Sequence, residues 1–130
     1  MTRSASGFYE QGEELTPVPT VRVGVGFGPG KVVAFAAVLD TGSDVCIFPE
    51  ESFRGMTLGE PAALLEVRPF GATPFGAPAR LPSVTAGDLR ETAVISVLVP
   101  GADPVIGRSF LNRCRLELDA RSGLVRLETE

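Results

Sequence analysis

Val21, Val23, Val25 and Phe27 alternate with Arg22, Gly24 and Gly26. A period of two marks a strand with one face buried. Gly28-Pro29-Gly30 interrupts it as a turn. The run that follows, residues 31–39, is almost wholly apolar, as a central strand covered on both faces would be. Together the two segments predict a hairpin. Asp40-Thr41-Gly42-Ser43 breaks the apolar run abruptly, and Val45-Cys46-Ile47-Phe48 resumes it up to Pro49. Residues 50–60 read as a loop or short turn. Pro69, Pro74, Pro78 and Pro82, with Gly71 and Gly76, punctuate residues 62–86, which predicts a long irregular hairpin with its tip near 71–76. Residues 91–99 predict a further strand and 100–104 a loop. Val105-Ile106-Gly107 follows, then a segment at 108–114 with room for two helical turns. Leu116 and Leu118 alternate with charged neighbours, residues 119–123 turn the chain, and Val125 and Leu127 alternate in a last strand. There is no internal repeat.

The sum is an all-β domain: a small closed or nearly closed barrel of short strands with one short helix near its C-terminal end. Residues 1–19 are polar and acidic and close with Pro17 and Pro19. They read as a flexible arm, leaving 20–130 as a single domain.

Composition narrows the chemistry. The chain has 130 residues, 44% of them hydrophobic, which suits one domain with a real core. A formal charge of −4 leaves no basic face for a nucleic-acid backbone. The chain contains no histidine, which removes Ser-His and Cys-His nucleophile pairs and histidine zinc sites. Lys31 is the sole lysine. Cys46 and Cys114 follow no metal spacing; they read as reduced, core-lining thiols, with a disulfide as the alternative. No metal and no cofactor are expected. No window holds the 18 or so apolar residues of a membrane span, so the chain reads as soluble and cytoplasmic, with no membrane partner. Gly24 to Lys31 invites a nucleotide-loop reading. It fails, because Val25 stands five residues before Gly30 and Val32 follows Lys31 where a hydroxyl is needed.

The most informative segment is Val38-Leu39-Asp40-Thr41-Gly42-Ser43-Asp44-Val45-Cys46-Ile47. A carboxylate at the end of an apolar strand is costly to bury unless N–H groups and hydroxyls satisfy it. Gly42 lets the backbone turn tightly beneath it, and Thr41 and Ser43 supply short hydroxyls. Such a loop can hold Asp40 ionised and oriented. The alternative is a purely structural Asx-type turn.

Apolar-apolar-Asp-Thr-Gly-Ser resembles the catalytic signature of aspartic proteases. Pro104-Val105-Ile106-Gly107-Arg108-Ser109-Phe110-Leu111 resembles the second signature of the retropepsin-like branch, in which Gly-Arg opens the only helix. A flap-sized hairpin lies between the two. The resemblance covers roughly residues 20–128 by order of elements. It departs at Ser109, where the family usually carries Asp or Asn and a serine can still hydrogen-bond. The flap lacks a glycine run and is rich in proline.

The resemblance implies roles. Asp40 would be the catalytic carboxylate, and Thr41 would hydrogen-bond across a dimer axis. Gly42 would accept a substrate N–H. Ser43 would support Asp40 beside the substrate. Asp44 would line the groove and pair with Arg108, a structural support; the alternative for these two is a pair of solvated surface charges. Ile47 and Ile106 would form apolar pockets, and Phe70 and Gly71 would fold over the substrate. Peptide hydrolysis of this kind needs two carboxylates sharing one proton. Two like charges that close cannot both stay ionised, so the pair titrates as a unit at mildly acidic values. Only one Asp-Thr-Gly is present. The expectation is therefore a C2 homodimer, with the strand near 124–128 offering an edge for interface pairing. Its substrate would be an extended peptide or protein segment. The second hypothesis is a fold of this type that binds peptides or dimerises without cleaving.

Overall fold

The computed structural model describes residues 1–13, 15–69 and 71–130. Twelve strands lie in this part of the chain: β1 (Arg3–Glu10), β2 (Val18–Gly26), β3 (Val32–Leu39), β4 (Cys46–Pro49), β5 (Ala63–Val67), β6 (Phe75–Arg80), β7 (Ser83–Ala86), β8 (Leu89–Glu91), β9 (Ser96–Val99), β10 (Val105–Ile106), β11 (Arg115–Asp119) and β12 (Leu124–Thr129). One α-helical turn, α1 (Arg108–Leu111), and a 3-10 turn at Glu50–Phe53 complete the described elements.

The β2–β3 hairpin forms as the alternation predicts, in register from Thr20 opposite Val38 to Gly26 opposite Val32. Val21, Val23 and Val25 face the core. The expectation that β3 is covered on both faces is corrected. Ala37 and Leu39 are buried, but Val32, Ala34 and Ala36 on the alternate face are exposed. The outer face of β3 carries mostly small residues, and Ala36 and Val38 border a groove rimmed by Glu10, Glu13 and Asp103.

The sheet runs β11-β12-β1-β2-β3-β10-β4-β9-β6-β5, with β7 also paired to β2 and β8 to β7. It is not closed into a barrel, which corrects the closed-barrel expectation. Among the described residues β11 pairs only with β12, and β5 only with β6. Both outer strands carry alternating charge or solvent-facing residues, a common protection for strands left at a sheet edge.

The segment expected as a flexible arm also reads differently. Arg3–Phe8 pairs with β12 and Phe8–Glu10 with β2, so β1 is an integral strand. Its inward positions, Ala5 and Gly7, are buried. Because β12 has β11 on one side and β1 on the other, it has no free edge. The interface pairing expected from that strand is not available to it. The expected strand at 91–99 is interrupted as well: β8 ends at Glu91, β9 starts at Ser96, and Ala93 between them takes a positive φ of 51°.

The core gathers the inward residues of these strands around Phe48, Phe110, Leu89, Ile106 and Leu127. At one end Phe35 stacks on Phe48 at 5.4 Å and Phe27 meets Phe53 edge-on at 5.3 Å; such pairs add about 0.5–1.5 kcal/mol each beyond their burial. No helix among the described residues is long and apolar enough to cross a membrane.

Candidate active site

β10 is the element that builds the site. It is two residues long and sits between β3, which it parallels, and β4, which it opposes. Val38 N–H donates to Pro104 O at 3.1 Å, and Asp40 N–H donates to Ile106 O at 3.0 Å. The last two residues of β3 and the first of the loop are thus fixed by a strand from the far end of the chain.

The chain then turns on Asp40 itself. Ser43 N–H donates to Asp40 O at 3.2 Å, and Gly42 N–H donates to Asp40 Oδ1 at 2.8 Å. Ser43 Oγ–H closes back onto Val45 O at 2.7 Å. Asp40, Thr41 and Gly42 are all exposed. The result is a carboxylate presented at the surface by a loop that turns on bonds to Asp40 itself.

The second signature locks this loop from beneath. Arg108 N–H donates to Ser43 O at 2.8 Å and Ser109 N–H to Asp44 O at 3.1 Å. The Arg108 guanidinium donates through Nη1 to Thr41 O at 2.6 Å and through Nη2 to the Asp44 carboxylate. With the Asp44 side chain 85% exposed, this pair contributes at most about 1 kcal/mol; its effect is to hold Thr41 and Asp44 in one geometry. Gly107 has an ordinary extended conformation, with φ −101°, so its need for glycine is one of space. A Cβ there would lie 2.7 Å from Ser43 O and nearer still to Val45 O.

Ser109 stands where the signature departs from its usual residue. Its Oγ–H donates to Ile95 O at 2.7 Å, and its Oγ accepts from Cys46 N–H at 3.2 Å. One hydroxyl therefore joins α1, β4 and the 92–95 turn. Cys46 beneath it is fully buried, and that burial pushes its thiol pKa up, partly offset by the Ser109 hydroxyl. Burial, and then Glu91, raise that of Cys114. Both cysteines are free thiols.

Beside the loop lies a cavity of about 390 Å³ between the β5–β6 hairpin and the floor made by β4 and β9. Of the residues expected in the site, Ser43, Asp44 and Ile47 line it. Asp40, Thr41 and Gly42 do not line it; they immediately precede Ser43 in the chain. Gly71 is exposed at the hairpin tip with a φ of 73° and is not part of its wall. Phe70 lies outside the described residues. Ile106 is corrected: it does not line the cavity and belongs to the core. Its neighbour Val105 is half-buried and pairs directly with Ile47, so the two share a sheet face. The sequence reading missed Val97 and Val99 on the floor and Leu65, Val67 and Phe75 on the hairpin. The alternation of Leu65 and Val67 was the available signal. Among the described residues no cluster of three or more His, Cys, Asp or Glu side chains could hold a metal.

A crystal structure of a retropepsin-like aspartic protease from Rickettsia conorii superposes on this chain with a TM-score of 0.66. The match covers 98% of this chain and 93% of the other, at 16% sequence identity. The chain has a retropepsin-like fold. No family model matches the sequence, and no curated protein matches it. In this retropepsin-like fold, the Asp-Thr-Gly loop follows β3, the Gly-Arg turn follows β10, and the two meet through the Arg108 and Ser109 amides.

Proposed function

We propose that the chain is an aspartic endopeptidase that works as a homodimer, each copy supplying one Asp40. The observation that carries this reading is the presentation of Asp40. Its carboxylate stands exposed at the end of β3, registered by Ile106 O and held by the Gly42 amide. One such carboxylate per chain requires a second copy for chemistry that needs two.

In the dimer the two Asp40 carboxyls share one proton. The ionised one takes a proton from a water, whose oxygen attacks the peptide carbonyl carbon. The protonated one gives its proton to the carbonyl oxygen. Collapse of the tetrahedral species breaks the C–N bond, and the amine leaves with a proton from the pair. No cofactor is needed. Thr41, exposed beside Asp40, meets its counterpart across the axis. The substrate lies extended, its N–H donating to Gly42 O, with Ser43, Asp44 and Ile47 along its path. An apolar side chain enters the cavity, and the β5–β6 hairpin, with Gly71 at its tip, covers it.

The test is cleavage of a diverse peptide mixture from acid to neutral pH by the unsubstituted chain and by Asp40→Asn, at several protein concentrations. Asn keeps the shape and removes the acid. We expect Asp40→Asn to lose at least ~10²-fold in rate. The unsubstituted chain should show a mildly acidic optimum and a rate rising faster than linearly with concentration. Equal cleavage by both forms would refute the proposal, as would a rate strictly linear in protein down to high dilution.

A further inference from the structure

The floor of the cavity ends in a turn held by a carboxylate that neither signature contains. β4 and β9 run parallel, with Pro49 beside Val99, so the two chains leave the sheet at the same level. Beyond Pro49 comes the 3-10 turn that carries Glu51. Beyond Val99 comes Pro100-Gly101-Ala102. Ala102 N–H donates to Val99 O at 3.2 Å, and Gly101 has a φ of 69°. That is the shape of a type II turn, which favours Pro and then Gly at its two central positions. The turn's own bond uses the Ala102 amide, leaving the Gly101 amide without a partner inside it.

Glu51 supplies that partner. Gly101 N–H donates to Glu51 Oε1 at 3.0 Å and to Oε2 at 3.2 Å. This bond holds the Glu51 carboxyl below its ordinary pKa, with the nearby charge of Arg54 a lesser contribution. Val99 and Ala102, at the two ends of the turn, both line the cavity, as do Ile47 of β4 and Val97 of β9. One carboxylate therefore joins the two wall-bearing segments past the last rung of their ladder.

We propose that Glu51 is a positioning residue for substrate selection: by pinning the 99–102 turn it fixes the wall against which an apolar side chain of the bound peptide packs. The inference rests on the peptidase reading of this groove. With the wall pinned, the cavity distinguishes side chains by size. With the turn released, the wall gives way and bulky and small side chains bind more alike.

The experiment uses nitrogen-15-labelled full chain carrying Asp40→Asn, so that a bound peptide survives, with and without Glu51→Ala or Glu51→Gln. Two things are read: the resonance and exchange rate of the Gly101 amide, and the affinities of short peptides differing only in one residue (Ala, Val, Leu or Phe), followed at Ile47 and Val97. We expect Glu51→Ala to shift the Gly101 amide and speed its exchange. We also expect it to shrink the spread of affinities across the series by about 2- to 10-fold, the loss of one such bond. Glu51→Gln keeps an acceptor and should fall between. An unmoved Gly101 amide overturns the proposal. So does a moved amide with unchanged discrimination, and so does the absence of peptide binding at Ile47 and Val97 in every form. If peptides bind and discriminate as expected but the Asp40-bearing chain cleaves none of them, the peptidase reading alone fails.

Discussion

Beneath the cavity and the Asp40 loop, β3, β10, β4 and β9 each have a neighbour on both sides, and Cys46, Phe48, Val97 and Ile106 have no exposure at all. Across the same cavity, the β5–β6 hairpin hangs on two rungs, Ala79 opposite Val97 and Arg80 opposite Ser96. No residue of β5 is buried, and Leu64 is 75% exposed. The carboxylate stands on the over-determined side, whereas the cover is attached at one edge. Local opening costs least where few apolar contacts are lost. The hairpin can thus move while the geometry around Asp40 stays fixed.

Substitutions can break this contrast. Gly107→Ala should have the largest effect, because the added methyl meets backbone of the Ser43–Val45 segment, which cannot yield without moving the loop. We expect a loss of about 3 kcal/mol or more, read from the urea midpoint. A loss below about 1 kcal/mol would mean that the floor is as pliable as the cover. Ser109→Ala comes next. It removes the acceptor at Cys46 N–H and the donor to Ile95 O, which should cost about 1–2 kcal/mol and speed amide exchange at Cys46. Leu64→Ala should change stability by no more than about 0.5 kcal/mol. A substantially larger loss in the same titration would show the hairpin to be packed and the contrast to be false.

These differences also explain what the sequence could reveal. The β2–β3 hairpin, the loop at Asp40 and the β11–β12 hairpin are local features, written in alternation and turn residues a few positions apart. β1 was not legible, because its inward Ala5 and Gly7 carry no hydrophobic period and its ladder partner lies at the other end of the chain. The run 91–99 looks continuous, but Ala93 leaves the strand region of φ, and no composition rule announces that. Ile106 and Val105 are both apolar; which of them is buried in the core is a matter of parity. Only the pairing of Ile106 with Leu39 and of Val105 with Ile47 settles it. Likewise the exposure of β3 depends on what covers its outer face, a property of the assembled sheet and not of the strand.

The ladder between β1 and β12 places Arg3 opposite Thr129 and Phe8 opposite Leu124. Because the strands are antiparallel, tension applied between Arg3 and Thr129 would load this ladder one rung at a time. It would peel from Arg3 towards Phe8 rather than shear as a block. Under mechanical load the terminal strands would separate before the force reached the rungs that hold Asp40.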